Sequence, residues 1–327
     1  MLNKHSNLAF FIPHLGCPYR CIFCDQNNIS GEDDIIKPDE VRKTCDEFLP
    51  ADGKGTEIAF FGGSFTAIPR EQMVSFLEAA YPFVRDGRAE GIRLSTRPDC
   101  IDDEVLSVLK RYGVTSIELG AQSMDDHVLM VNGRGHTSDD VRKASELIRE
   151  YGFSLGLQMM VGMYGAGDPE KDALYTAKEF MKLSPDTVRI YPTIVVNDTV
   201  LASLWRSGRY IPLNVEDAVR ISAKLITKFR EAGINVIRVG LHSEESLQKQ
   251  ALAGPFHPAF GEMCESRIIR EQIDNAIGDR KDIIIRCNPK LVSQVIGQKK
   301  SNISYLSEKG VHVSIVQDTA IDRFEIE

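Results

Sequence analysis

"GCPYRCIFCDQ", residues 16–26, sets Cys17, Cys21 and Cys24 in a C-x-x-x-C-x-x-C spacing just after an apolar run, "LAFFI" (8–12). The run reads as a buried first strand, and Gly16 and Pro18 give the loop behind it turn chemistry. Three thiols therefore leave the first strand together. A structural zinc site closes with four protein ligands, and an iron–sulfur cluster usually takes four cysteines. A set of three leaves one position open. Two chemistries suit it: a 4Fe-4S cluster with one iron free of protein, or a zinc ion that recruits His14 as fourth ligand. Three cysteines so close together in a Gly/Pro loop are poor material for core packing.

Outward from this loop, short apolar runs alternate with longer amphipathic ones. Strands are predicted at 8–12, 57–61, 91–95, 115–119, 154–161, 187–191 and 235–239. After Thr137 or Ser138 as N-cap, Val141, Ala144, Ile148 and Tyr151 share one helical face, and Gly152 stops the helix. Asn214 caps another, with Val215, Ala218, Val219, Ile226 and Phe229 inward and Gly233 at its end. Strand–helix alternation implies a parallel sheet, because parallel neighbours need a crossover. Repeated over residues 8–240, it predicts an α/β fold, a full or partial barrel with a doubly wound sheet as the competing architecture. In either, chemistry collects at the carboxyl ends of the strands.

Composition narrows the class. At 327 residues the chain is long enough for a barrel plus an appendage, and 43% hydrophobic residues suffice for a core. No apolar run approaches the roughly 20 residues of a membrane span. The first residues read as strand rather than signal peptide, and seven cysteines argue against a disulfide framework, so the cytoplasm is the expected compartment. The net charge of −8 excludes a bulk nucleic-acid binder but leaves room for a local basic patch. Cys45 sits on a helical face and reads as core, and Cys100, Cys264 and Cys287 are singletons without partner spacing.

The cysteine loop, with an aromatic Phe23 before its last thiol and "FFGGSF" (60–65) closing the second strand, resembles the radical S-adenosylmethionine superfamily across residues 8–240. The resemblance implies a partial (β/α)6 barrel holding a 4Fe-4S cluster on Cys17, Cys21 and Cys24. Its open iron is chelated by S-adenosyl-L-methionine, and one electron yields a 5′-deoxyadenosyl radical that abstracts hydrogen from the substrate. A one-electron donor of flavodoxin or ferredoxin type is implied as partner. Gly62 and Gly63 lack side chains, so backbone there would approach the methionine moiety, followed by the Ser64 hydroxyl. Phe23 matches the aromatic position beside the adenine. Similarity to oxygen-independent coproporphyrinogen III oxidase adds ribose contacts. Gln122 in "ELGAQSM" and Arg134 in "NGRGHT" match its glutamine and arginine, whereas Ser95 (with Arg97 two residues on) and Gln158 stand where that enzyme has acidic residues. Asp25, Glu118 and Arg189 lie near strand ends, and Arg189 in "RIYP" is the strongest further contact to cofactor or substrate.

"FFGGSFTAIP", "IRLSTRPDCIDDEVL", "GVTSIELGAQSMDD", "NGRGHT", "VRIYPT" and "AGPFHPAFGE" are similar to the catalytic subunit of Elongator and its bacterial relatives, which modify the wobble uridine of transfer RNA. The resemblance implies transfer RNA as partner. Elongator's subunit continues into an acetyltransferase domain that binds acetyl-CoA, for which this sequence offers no counterpart. Residues 241–279 break the alternation and are expected to cover the barrel; His257 in "PFHPAF" is a candidate for the pocket or a structural histidine. Residues 280–327 read as a small β-α-α-β-β unit. Its "VIGQKKSNI" resembles the G-x-x-G turn of the KH nucleic-acid module, with Gly297 first and Lys300 replacing the second glycine. Lys299 and Lys300 would meet phosphates there, or the unit is a cap. Two rival functions remain open: a radical enzyme acting on a small molecule such as a porphyrin precursor, and a non-enzymatic zinc- or cluster-binding RNA-interaction protein.

Overall fold

The computed structural model describes residues 6–12, 17–25, 36–241 and 245–327. Seven parallel strands form one sheet in the order of the chain: β1 (Ser6–Ile12), β2 (Thr56–Gly62), β3 (Gly91–Thr96), β4 (Val114–Gln122), β5 (Ser154–Val161), β6 (Thr187–Pro192) and β8 (Asn235–Val239). A doubly wound sheet reverses its strand order at a switch point; this one never does. It is the curled half-barrel sheet of the expected partial barrel. All seven predicted strands are present, with ends no more than three residues from those predicted.

The two faces of the sheet differ because side chains alternate along a strand. Ile58, Phe60, Ile92, Leu94, Ile117 and Leu119 point outward under the helices and are fully buried. Each contributes on the order of 1.5–3 kcal/mol by leaving water. The intervening residues point into the lumen and are largely polar: Glu57, Arg93 and Ser116 toward the strand starts, then Ser95, Glu118 and Arg189, then Gln122 and Gln158. Arg93 Nε donates to Glu57 Oε2 at 2.8 Å, closing the lower end with a buried ion pair.

Helices on the outer face begin where side chains can cap them. The Thr137 hydroxyl accepts from Asp140 N, and Asp140 reaches back to Thr137 N, a reciprocal box at the start of Ser138–Glu150. Asn214 Oδ1 accepts from Asp217 N to open Val215–Glu231. A two-stranded ribbon of β7 (Val195–Val196) and β9 (Ala251–Ala253), with a short helix Val200–Arg206, lies beyond the sheet and has no counterpart among the predicted strands.

Helix Phe260–Ile277 serves two cores. Phe260, Cys264 and Ile268 pack on the barrel, whereas Ile269, Ile273 and Ile277 pack on the C-terminal unit. That unit has β10 (Asp282–Cys287), helices Val292–Ile296 and Ser301–Glu308, β11 (His312–Gln317) and β12 (Phe324–Ile326). β10 lies at the centre of its sheet, parallel to β11 and antiparallel to β12. Among the described residues no helix is long and apolar enough to cross a membrane.

Candidate active site at the strand ends

A cavity of about 270 Å³ opens at the carboxyl ends of the barrel strands. Cys17, Cys21, Phe23 and Cys24 line it from the loop after β1, Gly62, Gly63 and Ser64 from β2, and Ser95 and Arg97 from β3. Gln122, Arg134, Gln158 and Arg189 complete the set. Residues scattered from position 17 to 189 of the sequence thus share one space. His14, the fourth ligand of the zinc alternative, lies outside the described residues.

The thiol wall comes first. None of the three cysteines is in a disulfide. Burial, and then the neighbouring Cys21 thiol, push Cys17 and Cys24 above the usual thiol range. Arg97 and Arg134 act in the opposite sense on Cys17, and Arg134 does so on Cys24. Arg134 Nη1 donates to Cys21 Sγ at 3.1 Å, its Nη2 donates to the Gly120 carbonyl, and its buried Nε has no partner among the described residues. Arg97 is braced by Asp99 (2.9 and 3.0 Å), donates to the Arg134 carbonyl, and lies over the Tyr19 ring. Among the described residues no three His, Cys, Asp or Glu side chains form a ready metal-ion site. The donor set nonetheless fits an iron–sulfur cluster. Three free thiols face one space, and two guanidiniums stand ready to offset the negative charge thiolates bring.

Backbone shapes the next wall. Gly62 has φ +105°, and a Cβ there would meet the Ile12 backbone at 3.2 Å, so a side chain is disfavoured on both counts. Gly63 N donates to the Ile12 carbonyl at 2.9 Å, and Ser64 Oγ lies 3.0 Å from Thr96 Oγ1. Bare backbone and an oriented hydroxyl make a cradle suited to the polar groups of an amino acid. Across the cavity Gln122 is held at φ +71°, a conformation costing a non-glycine residue roughly 1 kcal/mol or more. Its Oε1 accepts from Gln158 Nε2 at 3.2 Å.

The lumen floor is ionic. Arg189 Nε donates to Glu118 Oε2 at 2.5 Å, Ser95 Oγ to Glu118 Oε1 at 3.4 Å, and Arg189 Nη1 to the Tyr191 hydroxyl at 3.4 Å. Burial alone would lower the Arg189 guanidinium, but Glu118 and Tyr191 outweigh it and hold Arg189 above its usual value. The outer part is apolar, with Pro192, Ile194 and Val196 from the β6–β7 region and Leu241 and Leu247 beyond β8.

Sequence reasoning missed Phe61, Tyr191 and Met160, which also line the cavity. A signal existed: Tyr191 and Met160 lie two residues from Arg189 and Gln158 on the same strand face, and Phe61 directly precedes Gly62. Asp25 does not line the cavity. His257 lies elsewhere: its Nδ1 accepts from Ala259 N at 3.0 Å and it borders a second cavity. His136, in "NGRGHT", sits behind the site. Nε2 contacts the Ala121 carbonyl at 3.1 Å, and burial, then Arg134, lower its pKa to about 4. Gly297, Lys299 and Lys300 are remote, on the turn of the C-terminal unit; Gly297 is buried and both lysines are exposed.

Residues 11–177 match the Radical SAM superfamily, and residues 185–270 match the Radical_SAM C-terminal domain. Over 240 residues the chain is 37% identical to a tRNA uridine(34) acetyltransferase of Dehalococcoides mccartyi, covering 63% of this chain and 52% of that protein. It is 29% identical over 190 residues to Elongator complex protein 3 of Homo sapiens, covering 52% of this chain and 34% of the relative. Among solved structures, archaeal Elp3 of Methanocaldococcus infernus superposes with a TM-score of 0.65 at 20% identity, over 82% of this chain and 64% of that one. Coproporphyrinogen III oxidase of Escherichia coli gives 0.50 at 18%, over 70% and 53%. At such identities these superpositions speak for the fold. The chain spans about half the length, or less, of these curated relatives. Together the matches to sequence and to fold identify the chain as a radical SAM enzyme: it belongs to the superfamily whose members bind a 4Fe-4S cluster and S-adenosylmethionine.

Proposed function

We propose that this radical SAM enzyme acts on transfer RNA, at a uridine of the kind its relatives modify. One observation carries the reading. Thirteen residues singled out for cluster and cofactor line a single cavity, in a chain 37% identical over 240 residues to a tRNA uridine(34) acetyltransferase. The Cys17, Cys21 and Cys24 thiolates would hold the cluster, with Arg97 and Arg134 offsetting its charge. When bound and reduced by one electron, the cluster would supply the reductive cleavage of S-adenosylmethionine on which hydrogen abstraction depends. The Gly62–Gly63 backbone and the Ser64 hydroxyl would receive the methionine moiety, and Phe23 would serve the adenine. Ser95, Gln122, Arg134 and Gln158 would serve the ribose. Arg189, locked to Glu118, orients the reacting group against a rigid floor, and the apolar outer wall excludes water from it. The reading requires a one-electron donor of flavodoxin or ferredoxin type, and it places the protein in the cytoplasm with its RNA.

The test is nucleoside analysis. Reconstituted, reduced protein is incubated with S-adenosylmethionine and unmodified transfer RNA, and the RNA is digested and weighed by mass spectrometry. The expected result is 5′-deoxyadenosine formation stimulated by the RNA together with a new nucleoside at position 34. Cofactor cleavage indifferent to transfer RNA, with no altered nucleoside, transfers the assignment to a small-molecule substrate.

A further inference from the structure

A second cavity, of about 440 Å³, lies where three segments meet: the start of helix Val215–Glu231, helix Phe260–Ile277 and the turn before helix Ser301–Glu308. Its lining includes Arg267, Arg270 and Lys299 against a single carboxylate, the exposed Glu216. Arg267 is committed to Glu271 at 2.7 Å. Arg270 and Lys299 form no ion pair among the described residues. Arg270 lies over the Tyr305 ring with its carbon 4.6 Å from the centroid, which fixes the guanidinium without neutralising it. Burial, and then the adjacent Arg267, hold Arg270 below its ordinary value against the smaller opposing pull of Glu216 and Glu271, so the lining sets three cations against Glu216 and the Glu271 that Arg267 already holds.

Two features point to a ligand. Ser266 is only 3% exposed and borders this cavity, yet its Oγ has no hydrogen-bond partner among the described residues. A buried hydroxyl left unsatisfied forfeits the hydrogen bonds it makes with water in the unfolded chain. Lys299 and Lys300 both adopt left-handed backbone, φ +51° and +64°, and helix Ser301–Glu308 starts without a capping side chain, with Ser301 and Asn302 on the cavity. The turn is also clamped. Asn302 Nδ2 donates to the Ser266 carbonyl (2.9 Å) and to the Gln294 and Val295 carbonyls (3.1 and 3.2 Å).

We propose that this cavity is an oxyanion site that takes a backbone phosphate of the RNA substrate, held by Arg270 and Lys299 with Ser266 donating to a phosphate oxygen. A phosphodiester has the matching chemistry: one negative charge, and two free oxygens that accept from a guanidinium fork and a hydroxyl. In a chain of net charge −8, such a pocket concentrates RNA binding at one place rather than over the whole surface. The proposal rests on the RNA reading above.

The test is a salt titration of transfer RNA binding to the full chain by fluorescence anisotropy, comparing wild type with Arg270→Gln, Lys299→Gln, Ser266→Ala and the remote exposed control Lys178→Gln. Removing one cation from a phosphate lowers the log–log salt slope by roughly 0.7–0.9. Arg270→Gln and Lys299→Gln should each show that decrease, Ser266→Ala should weaken binding about fivefold at an unchanged slope, and Lys178→Gln should match wild type. Lys299 is exposed, so its substitution remains informative if Arg270→Gln fails to fold. Wild type that binds while the cavity variants behave like Lys178→Gln overturns the site and leaves the RNA reading standing. Wild type that binds no transfer RNA at low salt overturns both.

Discussion

Two cavities of this molecule treat their cations differently. At the strand ends Arg189 is answered by Glu118 and Arg97 by Asp99, while Arg93 is answered by Glu57 below them and Arg134 faces the Cys21 thiol. At the junction with the C-terminal unit Arg270 and Lys299 form no ion pair among the described residues, and Glu216, Glu271 and Asp274 act on Arg270 only at longer range. A paired, locked set of charges orients a ligand that brings little net charge of its own. An unanswered set stores attraction for an anion. The first arrangement suits positioning for chemistry, the second suits holding a polyanion.

The largest stability effect that tests this contrast is in the lumen. Glu118→Ala leaves Arg189, only 8% exposed, charged and unpaired, and should cost about 3–5 kcal/mol in denaturant unfolding. Arg270→Gln should move the same measurement by no more than about 1 kcal/mol, since it removes repulsion from Arg267 along with the stacking on Tyr305. Equal costs at the two sites would erase the distinction.

A buried carboxylate with no cation sharpens it. Asp172 accepts from Ser123 Oγ at 3.0 Å, but its Oδ2 has no partner among the described residues, and burial raises its pKa to about 6. The folded state therefore binds a proton more readily than the unfolded state, so the group's contribution is present at low pH and is lost as pH rises from about 4 through 6. Asp172→Asn should accordingly stabilise the protein by up to about 3 kcal/mol at pH 8 and by nearly nothing at pH 4. A gain independent of pH would show that Asp172 is not protonated in the fold.

The smallest effect concerns the turn of the second cavity. Lys300 occupies a left-handed position that glycine adopts without strain, so Lys300→Gly should stabilise the chain by about 1 kcal/mol, read as a rise of a few degrees in Tm. A fall in Tm would mean that the lysine side chain holds the turn.

The strand-end cavity was legible because a parallel sheet converts sequence period into place. The loop after β1 and the inward residues at the end of each strand had to converge, whatever their separation along the chain. Phe61 and Tyr191 escaped notice although the same period reaches them, because apolar and aromatic residues in a strand read as core. The ribbon of β7 and β9 was invisible for a different reason. Two- and three-residue strands carry no period, and their pairing joins Val195 to Ala253, far along the chain. The second cavity had only half a signal. The lysines of "GQKK" stood out, whereas Ser266, Arg267 and Arg270 lie on a helix whose two faces serve two cores, so no polar stripe marks them. His257 drew attention by its motif and serves its own turn, a local bond to Ala259 that proline-flanked sequence does not announce.

The open position left by three cysteines is where the chemistry of this protein begins. The decisive measurement is 5′-deoxyadenosine released from S-adenosylmethionine by anaerobically reconstituted, dithionite-reduced protein, with iron content determined in parallel. Wild type should hold the cluster and cleave the cofactor. Cys17→Ala, Cys21→Ala and Cys24→Ala should each abolish cleavage, while Cys45→Ala, Cys100→Ala, Cys264→Ala and Cys287→Ala retain it. Wild type that holds one zinc and no iron, or loss of cleavage in one of the latter four with the triad intact, would contradict the account.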